Sequence, residues 1–145
     1  MAAPSPSRLY ASALGALLLV IGVAGFFYSA STGSPGAVDD ALGAFEVNAW
    51  LNLLHAATGA LGLFAASYAA RPFALLAGWL YTVLAVWGFT LGAGDAILGF
   101  LPANGGDNAL HLVVGLLGLA AAAGTSRERA ARRLEPRADA AGEGA

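Results

Sequence analysis

Long charge-free apolar runs, each closed by charged residues, set the pattern of this chain. Leu9 to Val38 lies between Arg8 and Asp39, with its apolar part ending near Tyr28 and Ala30. Val47 to Ala70, Pro72 to Gly94 and Asn108 to Ser126 follow, bounded in turn by Glu46, Arg71, Asp95, Asp107 and Arg127. A helix needs about 20 residues, at ~1.5 Å each, to cross a ~30 Å hydrocarbon layer. The runs therefore predict helices over about 9–30, 47–70, 73–92 and 108–124. Periodicity alone would not separate them from buried helices of a soluble protein, but four such runs in 145 residues do. The two connections between the first and second and between the third and fourth runs carry weaker patterns. Ala37 to Phe45 places Val38, Leu42 and Phe45 on one helical face, with Asp39 and Asp40 turned away, and Asp95 to Leu101 offers Ile97, Leu98 and Leu101. Both read as short amphipathic helical turns on a membrane surface.

Composition agrees with lipid as the solvent: 58% of the residues are hydrophobic and 11% charged, against about 25% charged in soluble domains. Charge placement adds a direction. Arg8, Arg71, Arg127, Arg129, Arg132, Arg133 and Arg137 are all the basic residues, while the other two connections hold Asp39, Asp40, Glu46, Asp95 and Asp107. Basic residues beside membrane spans stay on the cytoplasmic side, so both termini are expected in the cytoplasm. Residues 1–8 form a cytoplasmic N-terminus, and residues 125–145 a basic tail expected to be disordered. Trp50, Trp87 and Tyr28 fall near the outer interface, where amphipathic rings prefer to sit. A competing reading of Met1 to Ser31 is a secretory signal ending in the small residues around Tyr28–Ser31.

An internal repeat argues for retaining that first span. Asn52-Leu53-Leu54-His55 continues to Gly59, Gly62 and Leu63, and Asn108-Ala109-Leu110-His111 continues to Gly115, Gly118 and Leu119, a constant offset of 56 residues. A weaker match at offset 63 pairs Gly15 with Gly78, Leu17 with Leu80, Val23 with Val86, Gly25 with Gly88 and Phe26 with Phe89. The fold class expected is an all-α integral membrane protein, a four-transmembrane-helix bundle built from two duplicated helical hairpins.

The repeated residues fall on helical stripes: Asn48, Asn52, His55, Gly59, Gly62, Ala66 and Ala69 on one helix, Asn108, His111, Gly115, Gly118 and Ala122 on another. Small residues let backbones approach closely, and lipid offers Asn and His no hydrogen-bond partner. Both stripes should face the bundle interior, with His55 and His111 at similar depth on facing helices. Three roles compete for the pair. In the first, each imidazole is held by Asn, Thr, Tyr81 or a carbonyl and fixes helix register. In the second, they are axial ligands of a haem or part of a metal site. In the third, they serve a proton or small-solute path. Asp107 and Glu46 read most simply as carboxylates at helix starts. No catalytic set, phosphate-binding loop or nucleic-acid surface is recognisable, and with no cysteine there is no thiolate chemistry. The expected partners are the lipid bilayer, a second copy or another membrane protein, and no nucleic acid. The expected role is non-enzymatic, in the cytoplasmic membrane.

Phe45-Glu46-Val47-Asn48-x2-Leu51-Asn52-Leu53-Leu54-His55-x3-Gly59, followed by Leu101-Pro102 and Asp107-Asn108-x-Leu110-His111, resembles a small bacterial, mostly actinobacterial, membrane family catalogued as domain of unknown function 4383. The resemblance runs from about Leu9 to Ala123. Where that family often has Ala-Asp-Asn, this chain has Gly106-Asp107-Asn108. The resemblance implies four transmembrane helices and no assigned activity.

Overall fold

In a computed structural model, which describes residues 3–32, 39–41, 45–92 and 95–142, four helices carry the chain. They are α1 (Pro6–Gly25), α2 (Ala49–Ala65), α3 (Ala70–Thr90) and α4 (Gly105–Gly142). Three hold apolar stretches long enough to cross a membrane, over Pro6–Gly25, Ala70–Thr90 and Gly105–Ala131; α2, equally apolar, has 17 residues.

Local chemistry sets these boundaries. Pro6 sits in the first turn of α1, where its missing N–H would have had no partner anyway. Asn48 caps α2, its Oδ1 accepting from Leu51 N–H at 2.9 Å. The second run was expected to stay helical to Ala70, but the chain turns over residues 66–69. Pro72 explains this: inside a helix, proline removes a hydrogen bond and clashes with the preceding turn, so a new helix beginning just before it is favoured. Asn104 starts α4 by accepting from Asp107 N–H at 2.8 Å. α4 then continues to Gly142. Residues 125–142, expected to be disordered, are thus helical; the Ala, Arg, Glu and Leu of this segment favour a helix, although Pro136 within it does not.

The two connections are β-hairpins, not amphipathic helical turns. β1 (Asp39–Ala41) pairs antiparallel with β2 (Phe45–Val47), with Asp39 opposite Val47. β3 (Ala96–Ile97) pairs with β4 (Leu101–Pro102), with Ile97 opposite Leu101. One isolated helical turn would leave most of its N–H and C=O groups without partners, whereas two short strands satisfy each other at a boundary with little water. Val38 and Leu42, expected on the helical face of the first connection, lie outside the described residues. Leu98 and Gly99 take positive φ values of 55° and 79° in the second hairpin.

α1 packs along α2 and α3 along α4. Glycine sets the distance in both pairs. A Cβ on Gly15 would lie 2.8 Å from Leu63 N, and one on Gly78 would lie 2.9 Å from Leu119 N. Across the helices, Gly59 and Gly115 are pressed on the backbones of Leu19 and Thr82, and Gly25 and Gly88 on the side chains of Asn52 and Asn108. Tyr10 reaches over Gly118 and Phe73 over Gly62, so each pair sends one ring onto a glycine of the other.

Polarity is inverted relative to a water-soluble fold. Phe27 is 88% exposed, Leu76 74% and Phe64 69%, while His111, Asn108 and Thr125 are 3% exposed or less. Scattered apolar side chains are normal on any protein surface. A surface carrying most of the large apolar side chains, over an interior that keeps Asn, His and Thr among its apolar residues, is what lipid selects.

Candidate functional site

The histidines of the repeat meet at the centre. His55 from α2 and His111 from α4 bring their Nε2 atoms to 3.4 Å, with ring planes at 71°. Tyr81 from α3, fully buried, lies alongside, its ring centroid 5.2 Å from that of His111 and 6.2 Å from that of His55. The sequence suggested Asn, Thr, Tyr81 or a carbonyl as partner to each imidazole. Instead each histidine is the partner of the other. A neutral imidazole has one N–H and one lone pair, so an edge-to-edge pair of opposite tautomers satisfies one donor and one acceptor without any third group. Among the described residues His111 Nδ1 finds no hydrogen-bond partner, and the Tyr81 hydroxyl stands beside Thr58.

The asparagines serve other contacts. Asn52 Nδ2 donates to Ser29 O at 2.9 Å, tying α2 to the segment after α1. Asn48 Nδ2 donates to Phe100 O, linking the start of α2 to the second β-hairpin. Asn108 lies against Gly88, and among the described residues the buried Oδ1 atoms of Asn52 and Asn108 have no partner. Gly59, Gly62, Gly115 and Gly118 are buried packing positions, as their stripe predicts. Asp107 does more than start a helix: its Oδ2 accepts from Glu46 N–H at 2.9 Å, fastening α4 to β2.

These bonds belong to a series between the α1–α2 pair and the α3–α4 pair. Asn48 to Phe100 and Glu46 to Asp107 hold the β-hairpin end, and His55 with His111 the middle. Tyr10 Oη donates to Val114 O at 3.0 Å. At the arginine end Ser7 N–H donates to Thr125 Oγ1 at 2.9 Å, and Ser7 Oγ to Ala121 O at 3.1 Å. Within each pair the close contact is mainly backbone on glycine, with Asn52–Ser29 and Arg71–Ser126 bonds at the ends; between the pairs it is a ladder of hydrogen bonds. Ser7, Tyr10 and Thr125 were missed in the sequence. The one signal that could have found Tyr10 was its place 63 residues before Phe73 in the weaker repeat.

The arrangement limits the chemistry of the histidine pair. Imidazole nitrogens bind a metal at about 2.0–2.1 Å, so axial ligands of one iron stand roughly 4 Å apart with a flat macrocycle between them. Here the two Nε2 atoms stand 3.4 Å apart, closer than such a pair, with Tyr81 packed beside both rings. No group of three or more metal-binding side chains occurs among the described residues. A cavity of about 260 Å³ opens beside α1 and reaches His55 and Asp107; apart from those two it is lined mainly by apolar residues such as Ile21, Ala24, Phe45 and Leu51. Such walls do not order a chain of water.

The chain belongs to the family described as Domain of unknown function (DUF4383), whose model matches residues 8–124. Comparisons with curated proteins and with solved structures gave no match.

Proposed function

We propose that this is a non-enzymatic multi-pass protein of the cytoplasmic membrane: a bundle of four spans, made of two duplicated hairpins, with both termini in the cytoplasm. In this reading it is a structural or accessory component that associates with a second copy or another membrane protein. The observation that carries it is the closed histidine pair. Asn48, His55, Asp107 and His111, among the most polar residues of the interior, are engaged in joining one helical pair to the other.

The duplication is supported by contact equivalence. Residues 63 apart in α1 and α3 (Tyr10 and Phe73, Gly15 and Gly78, Gly25 and Gly88) meet residues 56 apart in α2 and α4. Two copies crossing in the same sense are related by an axis along the membrane normal. At 17 residues α2 reaches the lower limit of a span. The orientation rests on arginine: Arg8, Arg71 and Arg129 gather at one end, and the β-hairpins with their acidic residues stand at the other.

Because the chain has no cysteine, one introduced thiol is a unique label. Ser31→Cys should react with an impermeant maleimide on intact cells, and Ser67→Cys and Ala130→Cys only after permeabilisation. Labelling of Ser67→Cys from outside, or of the latter two from opposite faces, would overturn the topology. The non-enzymatic reading excludes a haem centre, so protein purified from its native membrane should show no Soret band. A band that His55→Ala abolishes would replace this reading by a redox one.

A further inference from the structure

The arginine end holds a second polar feature that the helix contacts do not use. Arg8 of α1, Arg71 of α3 and Arg129 of α4 line one cavity of about 140 Å³, together with Ser5, Ser67 and Thr125. Arg71 is held in place, its Nε donating to Ser126 Oγ at 2.7 Å, and Ser126 Oγ in turn donates to Ala122 O. That bond leaves the two terminal nitrogens of the Arg71 guanidinium without a hydrogen-bond partner among the described residues. Among the described residues none of the three arginines is paired with a carboxylate. Three like charges converging on one small space repel each other unless an anion joins them. Two helix starts add to the positive field. Neither Ser5 at α1 nor Ala69 at α3 makes a side-chain cap, and neither helix has an acidic residue in its first turn.

We propose that this cavity binds a single phosphate group, gripped by Arg8, Arg71 and Arg129. Guanidinium groups match phosphate oxygens in bidentate fashion. At about 140 Å³ the cavity has room for a phosphate group and its ester linkages. Its place at the end of the apolar helices makes an anionic phospholipid headgroup the natural source, with free phosphate sharing the same chemistry. The site goes beyond the structural reading above and does not depend on which leaflet the arginines face.

The test uses the full-length protein in zwitterionic micelles, with phosphatidylglycerol or phosphatidylcholine added. Native mass spectrometry should retain one phosphatidylglycerol per protein and no phosphatidylcholine, and phosphatidylglycerol should raise the melting temperature. Arg8→Gln and Arg129→Gln, both exposed side chains, should each weaken phosphatidylglycerol binding by about fivefold, with melting in phosphatidylcholine no lower than wild type. Arg127→Gln, beside the cavity but not lining it, should change it less than twofold. Arg71→Lys keeps the charge but loses the bond to Ser126, and should weaken binding as well. Equal losses from Arg127→Gln and Arg129→Gln would mean diffuse attraction to a basic surface and overturn the site, as would equal retention of both lipids. Millimolar inorganic phosphate separates the sources: displacement of the lipid marks a site open to free phosphate, and lipid retained against it marks a site for the diester. Either result upholds the phosphate site.

Discussion

A pair of imidazoles joined through Nε2 atoms must consist of opposite tautomers, and the surroundings decide which is which. His111 Nδ1 is buried without a partner. An orphaned N–H is rarer in proteins than an under-used acceptor, so His111 carries its proton on Nε2 and donates to His55, whose own proton is on Nδ1. Nitrogen chemical shifts of the two rings should show that assignment; the reverse pattern would disprove it. His111→Leu then leaves His55 with an unpaired buried nitrogen and should cost about 1–3 kcal/mol. The double variant His55→Leu/His111→Leu should cost less than the two single changes added together, because no orphan remains. Strictly additive losses in detergent unfolding would show that the rings do not interact. Both histidines were legible in the sequence from the repeated Asn-x-Leu-His spacing, which also placed them at one depth. Their mutual bond was not, because a stripe fixes the face of a helix but not which side chain across the interior it meets. The asparagines show the same gap: they lie on the predicted face, yet bond to Ser29 and Phe100, partners set by how the connections fold.

At the scale of elements, charge-free runs were enough to find the helices, though not where the second one ends, since a span's length is dictated by the thickness of the hydrocarbon layer. The connections were harder. In a stretch of seven or so residues, apolar positions three or four apart fit one helical face as well as a strand, and short runs do not distinguish the two. Hydrogen-bond satisfaction decided for strands. Leu98 records a cost of that choice, a φ of 55° in an exposed non-glycine residue. Asparagine tolerates this conformation better, so Leu98→Asn should stabilise the protein by up to about 1 kcal/mol, seen as a small rise in melting temperature; a fall would mean that the leucine's contacts matter more. The glycine stripes predict the opposite. Gly59→Leu and Gly115→Leu each place a side chain where Leu19 or Thr82 backbone already stands. Each should destabilise by more than the roughly 1–3 kcal/mol of ordinary overpacking, because the obstacle is main chain. Wild-type yield and melting in both variants would remove the close-packing account.

For the molecule as a whole, two kinds of adhesion are at work: backbone pressed on glycine inside each helical pair, hydrogen bonds through side chains between the pairs. In lipid an interhelical hydrogen bond contributes on average about 0.6 kcal/mol, and at most about 1–2, so the ladder is modest rung by rung. Only residues 66–69 separate α2 from α3. A gene cut in that turn should yield two fragments that find each other in the membrane, and co-purification of a tagged α1–α2 fragment with α3–α4 measures it. His111→Leu in the second fragment should lower the recovery. The same junction has a further consequence. Every rung is formed by groups that a neighbouring identical chain also carries, so if the turn straightens, the first half of one molecule can settle onto the second half of another with no new surface required. Reciprocal exchange of halves would thus build a dimer whose inner joints are indistinguishable from those of the monomer, differing only in the path of four residues.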